Sequence, residues 1–248
     1  MTTAIREHAF RALKSGKCIV LPMLVVLVGC LSAGYPTALS SDRDIRRAPS
    51  DVERIIVGLL PIKDYPLLSK FERLKDADFY TLDGNGANDE KLRELSKLNF
   101  SKLEGISLLK CPAVTDEGIR HLTNIRSLKH IQFEGTSITD EALEIIASKM
   151  RLTGVNVSNC PKVTMQGLLK LASSETLKEF GFSANDLSQE DCVRLIKEFR
   201  TITWCGIVDP SGKLDAQTLK SLGQEQGVRV VIKRTGALQD VVRGGGWR

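Results

Sequence analysis

Six cysteines and three histidines are the residues of this chain best suited to nucleophilic, redox or metal chemistry: Cys18, Cys30, Cys111, Cys160, Cys192, Cys205, His8, His121 and His130. A thiol becomes a good nucleophile when a neighbouring imidazole takes its proton. A structural zinc site needs ligands at short spacings such as C-x-x-C. No cysteine pair here has that spacing. Gly84-Asn85-Gly86 has the glycines of a phosphate-cradling loop, but no Gly-Lys-Ser/Thr follows, so it reads as a turn. Whether any thiol meets an imidazole depends on the elements that carry them.

Those elements repeat. Four segments share a frame of Leu, two residues, apolar, one residue, apolar. They are Leu103-Ile106-Leu108 followed by Cys111, Leu128-Ile131-Phe133 followed by Thr136, Leu152-Val155-Val157 followed by Cys160, and Leu177-Phe180-Phe182 followed by Asn185. Their first residues lie 25, 24 and 25 apart. An irregular unit precedes at Leu74, Ala77, Phe79 and Leu82, and a weaker one follows at Phe199, Ile202, Trp204 and Ile207. The second halves recur too: Val114-Thr-Asp-Glu-Gly-Ile119 matches Ile138-Thr-Asp-Glu-Ala-Leu143.

Alternating apolar residues make a short strand with one buried face. Thr115, Thr139, Thr164 and Ser188 then stand where a hydroxyl caps a helix. Asp116, Glu117, Asp140 and Glu141 suit the positive end of that helix. One strand and one helix cannot bury their apolar faces alone, so the units must stack, giving an α/β solenoid with parallel strands on the concave side and helices on the convex side. These units, with Cys111-Pro112 and Cys160-Pro161 each leading to Val-Thr, resemble the cysteine-containing leucine-rich repeats. The resemblance covers about residues 74–232. It implies a solenoid of about five to six repeats and is silent on function, because one repeat fold hosts many roles. Arg54–Leu60 is expected to add a degenerate strand, Tyr65–Leu74 its helix, and Val228–Lys233 a closing strand.

The frame places the thiols. Cys111 and Cys160 hold one repeat position two units apart, about 10 Å at a ~4.8 Å strand interval, too far for a disulfide. They and Cys192 are expected to be small buried side chains. Cys205 is expected to point outward, near solvent. His130 should face the concave side about 14 Å from Cys205, which excludes a thiol–imidazole pair. No catalytic residue, metal site or cofactor is expected, and the chain reads as a non-enzyme.

The N-terminus has a different composition. Arg6, Arg11, Lys14 and Lys17 precede an uncharged apolar run over 18–29. That run is shorter than the roughly 20 residues of a membrane-spanning helix and has the layout of a secretory signal. It ends in Leu27-Val28-Gly29-Cys30, which resembles a bacterial lipobox. The resemblance implies lipidation of Cys30 and cleavage before it. The expected organisation is a signal peptide over 1–29, Cys30 and a flexible tether over 30–50, the repeat domain with its caps over 51–233, and a tail over 234–248 containing Gly244-Gly245-Gly246.

Charge adds little to this. The chain carries +5 from 35 basic and 30 acidic residues. Removing 1–29 leaves 35 − 4 = 31 against 30 − 1 = 29, a net +2. That offers no basic stripe for nucleic acid. The expected recognition surface is the concave one, with Asp78, Ser107, Gln132, Asn156 and Thr203 in its central column. Tyr80, Glu134, Ser158 and Ser183 stand on one side, and His130 on the other. The resulting expectation is a monomeric scaffold that binds a protein or surface polymer, held by lipid on the extracytoplasmic side of a cell-envelope membrane. The competing expectation is a membrane-anchored or intracellular adaptor with its N-terminal segment uncleaved, similar to the repeat region of ubiquitin-ligase substrate receptors.

Overall fold

Stacked short strands bury little apiece, so the chain must bring successive units into register. In the computed structural model, which describes residues 37–79 and 86–234, nine strands lie side by side in chain order, all parallel. They are β1 (Thr37–Ala38), β2 (Arg54–Ile56), β3 (Asp76–Asp78), β4 (Gly105–Ser107), β5 (His130–Gln132), β6 (Gly154–Asn156), β7 (Glu179–Ser183), β8 (Trp204–Val208) and β9 (Arg229–Lys233). Between them come helix α1 (Asp42–Arg47), a 3-10 helix (Ile62–Lys70), α2 (Asp89–Ser96), α3 (Asp116–Leu122), α4 (Asp140–Lys149), α5 (Met165–Leu171), α6 (Gln189–Glu198) and α7 (Ala216–Gln226). This is the α/β repeat solenoid expected from the frame. All described residues fall in the compact unit that starts at Thr37. The signal segment, Cys30, Tyr80 and the tail beyond Arg234 lie outside the described residues.

The core is two ladders of inward side chains. One runs Ile55, Ala77, Ile106, Ile131, Val155, Phe180, Cys205, Val230, each paired with the next in register. The other includes Val57, Phe79, Leu108, Phe133, Val157, Phe182 and Ile207, all buried. Inward helix residues such as Leu92, Ile119, Leu143, Leu168, Cys192 and Leu219 close the layer and are at most 3% exposed. At roughly 1.5–3 kcal/mol per buried aliphatic side chain, these ladders dominate the stability.

The helix starts follow the expected chemistry and add to it. The hydroxyls of Thr115, Thr139 and Thr164 accept from the backbone N–H two residues on, at 3.2–3.3 Å. Each threonine is itself held by the first residue of the preceding helix. Asp89 accepts from the Thr115 N–H at 2.8 Å and from its hydroxyl at 2.7 Å. Asp116 does the same to Thr139, and Asp140 to Thr164. The recurring aspartates therefore tie repeat to repeat. A Cβ on Gly167 would come 2.2 Å from the Asp140 carboxylate as it is placed here, so a larger residue would require that carboxylate to shift. The aspartate ladder breaks at Met165, which holds the same slot but offers no carboxylate. There Ser188 is capped instead by its own helix through a capping box with Asp191.

Two expectations need correction. The stretch expected to be a tether is folded from Thr37: β1 pairs with β2, Ser41 caps α1, and Leu39 and Ile45 are buried. A six-residue helix with one inward residue has no periodicity to read in a sequence. The weaker repeat is also shifted by three residues. Phe180 pairs with Cys205 and Phe182 with Ile207, where the frame assigned Ile202 and Trp204.

Candidate functional site

A strand with one side packed on the core must turn its alternate residues outward. The central outward column is Asp78, Ser107, Gln132 and Asn156, continued by Gly181 and Gly206. Thr203 is not in it. It precedes β8, and Gly206 takes the place expected for Thr203. The flanking column is Asp76, Gly105, His130, Gly154, Glu179 and Trp204. Glu134, Ser158, Ser183 and Val208 continue the other side.

The shift reassigns two further residues. Trp204 moves from the expected core to the outer face. Cys205 moves the other way and is 1% exposed. Its thiol is pushed far up by burial, so it is no nucleophile and not the solvent-facing thiol expected. Cys192 is pushed up to about 12 by burial, and burial also raises Cys111 and Cys160. The uniform repeat interval carries the signal for the shift. Phe180 to Cys205 is 25 residues, whereas Phe180 to Ile202 is 22.

The polar half of the face is cross-linked through its side chains. Arg54 meets Asp78 at 2.9 Å through Nη2 and 3.1 Å through Nε. The Ser107 hydroxyl donates to Gln132 Oε1 at 3.4 Å. Asn156 Oδ1 accepts from the Ser158 N–H at 3.0 Å and from its hydroxyl at 2.7 Å. Asn159 donates to Glu134 Oε1 at 3.3 Å, and Ser183 donates to Asn159 Oδ1 at 3.3 Å. His130 Nε2 lies 3.2 Å from the Thr153 hydroxyl. Sequence alone places these residues on one face but does not reveal the bonds between them.

The expected face is less open than a solvated surface. Asp78, Ser107, Gln132 and Glu134 are 7–9% exposed, Asn156 2% and Ser158 0%, while His130 and Ser183 are half-buried. Strands stacked at ~4.8 Å let each side chain shield the next. Burial raises the carboxyl pKa of Glu134 against the pull of Asn159 and Lys110. It also raises Glu179 and Asp76, and it lowers His130 against the pull of Glu104. On this side of the sheet, Glu134 Oε2 and Asn156 Nδ2 are buried without a hydrogen-bond partner. Among the described residues no three His, Cys, Asp or Glu side chains converge as a metal site, and no helix is long and apolar enough to cross a membrane.

The architecture is that of a leucine-rich-repeat solenoid, and a solved structure of such a protein agrees on the fold. A leucine-rich repeat-containing protein, LegL7 from Legionella pneumophila, is similar over 77% of this chain and 71% of its own, at 13% identity and a TM-score of 0.55. The tropomodulin C-terminal domain of Caenorhabditis elegans covers 67% of this chain and 90% of its own, at 16% identity and a TM-score of 0.37. The yeast Rad7 and Elc1 complex contains a chain similar over 71% of this one and 52% of its own, at 13% identity and a TM-score of 0.39. No family model and no curated protein matches the sequence.

Proposed function

We propose that this chain is a non-catalytic scaffold that binds another protein, or a surface polymer, through the outer face of its sheet. In this reading residues 1–29 are removed, and a lipidated Cys30 holds the domain at an envelope membrane on the extracytoplasmic side. The observation that carries the scaffold reading is the outer face itself. Polar side chains from successive repeats stand in aligned columns there, while every described thiol is buried and its pKa raised. Such a face offers hydrogen bonds over several repeats and no activated nucleophile.

Two experiments test the two halves. Pulldown from envelope extracts should recover a partner with wild type and lose it with Gln132→Arg/Asn156→Arg. Equal recovery by the double variant would sink the outer-face reading. The mass of the mature N-terminal peptide, with radiolabelled palmitate in wild type and Cys30→Ala, tests the anchor. An intact, unlabelled N-terminus would instead support the uncleaved adaptor.

A further inference from the structure

We infer that the edge of the solenoid where helices lead into strands docks on the anionic headgroups of a lipid membrane. This rests on the reading of Cys30 as a lipid anchor and names the surface that the anchor brings to the membrane.

The two edges of the sheet differ in charge. All strands are parallel and a helix stands between each pair, so every helix-to-strand segment lies at one edge and every strand-to-helix segment at the other. The helix-to-strand segments, from 48–53 to 227–228, hold nine basic against five acidic residues, a net +4. The strand-to-helix segments hold three basic against four acidic among the described residues, a net −1. The first turns of α3, α4 and α6 add the acidic pairs Asp116-Glu117, Asp140-Glu141 and Glu190-Asp191 to that second edge. The cause lies in each repeat, because a helix favours acids at its start and bases at its end. Stacking adds these preferences together, and the near balance of the whole chain hides the result.

The cations of the first edge are available. Arg73, Lys102, Arg126, Arg151, Lys178 and Arg200 come from six successive helix-to-strand segments and are all exposed. None of the six is in an ion pair among the described residues, whereas Lys75 and Lys129 beside them pair with Glu53 and Glu104.

The path of the chain selects the partner. Strand β1 starts at Thr37 and runs parallel to the rest, so the described fold is entered at this same basic edge. Cys30 precedes Thr37 by seven residues, a stretch of about 25 Å at most. A lipid on Cys30 therefore keeps the point of entry within that distance of the headgroups. Each Lys or Arg close to an anionic membrane strengthens binding, and the acidic edge is the one such a surface repels. A nucleic acid would use the same cations, but nothing at the point of entry draws it there.

The test reads the edge directly. The chain is purified from membranes with its own N-terminus and reconstituted in vesicles of phosphatidylcholine, alone or with about one quarter phosphatidylglycerol. Acetylation rates of single lysines are followed by mass spectrometry. In the anionic vesicles Lys102 and Lys178 should react about tenfold more slowly than in the neutral ones, while Lys162 and Lys213 on the opposite edge keep their rates. About 1 M salt should remove the protection. Arg126→Glu/Arg151→Glu should abolish most of it with an unchanged thermal melt. Lys110→Glu/Lys162→Glu, the same change in net charge on the opposite edge, should leave Lys102 and Lys178 protected. Equal rates in the two kinds of vesicle, equal protection at both edges, or equal loss in the two double variants would overturn the inference. So would a DNA duplex that protects Lys102 and Lys178 in detergent as strongly as the anionic vesicles do. If wild type floats with neutral vesicles, Cys30→Ala does not, and the edge stays reactive in anionic ones, the anchor stands and only this inference falls. If Cys30→Ala floats with neutral vesicles as wild type does, the lipid anchor falls and this inference with it.

Discussion

The central repeats, from β4 to β6, and the last ones, from β7 to β9, use one frame and hold together by different means. In the centre, strands are three residues long, and aspartate–threonine pairs tie the helix starts of neighbouring units. The outer face there is polar. At the C-terminal end strands are five residues long, and Phe180 stacks on Phe199 and Phe182 with centroids 4.6 and 5.3 Å away. The cap side chains there serve their own segments. Asp191 closes a box with Ser188, Asp215 accepts from Gln217 and Thr218, and Asp209 gathers the N–H groups of Gly212 and Leu214. One tie between helix starts persists, from the Asp215 N–H to Gln189 at 3.0 Å, with a neutral acceptor in place of aspartate. The outer face becomes Gly181, Trp204, Gly206 and Val208. A repeat frame thus fixes where strands and helices fall and leaves open whether neighbours are joined by directional bonds or by apolar contact.

Four measurements bear on this contrast, in descending order of effect. Phe180→Ala should destabilise by about 3–5 kcal/mol through a cavity in the aromatic stack. Limited proteolysis should then cut first after β6. Cleavage first in the central repeats would mean that the aromatic stack does not hold the C-terminal end. Asp140→Ala removes two hydrogen bonds to Thr164 and should cost about 2 kcal/mol in urea denaturation, with Asp116→Ala similar. A loss below about 0.5 kcal/mol, the range of an ordinary surface substitution, would reduce the ladder to decoration.

The third measurement moves the central device into the C-terminal half. Asp191→Ala should cost about 1 kcal/mol by breaking the capping box. Adding Met165→Asp should recover part of that loss by extending the aspartate ladder to Ser188. No recovery in thermal melts would show that the two halves are not interchangeable. The fourth concerns the face. The folded pKa of Glu134 is raised by burial, so the fold binds its proton more tightly than the unfolded chain does. Its protonation therefore favours folding below the unfolded value, and this advantage is lost as pH rises through the folded value. Glu134→Gln should then be more stable than wild type near pH 7, by less than about 1 kcal/mol. The difference should shrink toward pH 4, and an equal difference at both pH values would refute the assignment to Glu134 ionisation.

Much of this contrast is legible in the residues. The leucine frame, the caps at Thr115, Thr139, Thr164 and Ser188, and the burial of Cys111, Cys160 and Cys192 follow from periodicity and side-chain chemistry. The register of β8 does not follow from alternation, because Ile202 and Trp204 have the same spacing as Cys205 and Ile207; only the 25-residue interval from Phe180 points to Cys205. The folded start at Thr37 is hidden because one buried residue per element makes no pattern.

Periodicity is enough to settle the class of fold, because burial of apolar residues at fixed intervals is a local rule that each repeat states again. The partnership between repeats is settled only once the chain is folded: which aspartate reaches which threonine, and which polar atoms of the outer face stay unbonded. These depend on distances between elements about 25 residues apart, set when all the strands share one hydrogen-bonded ladder.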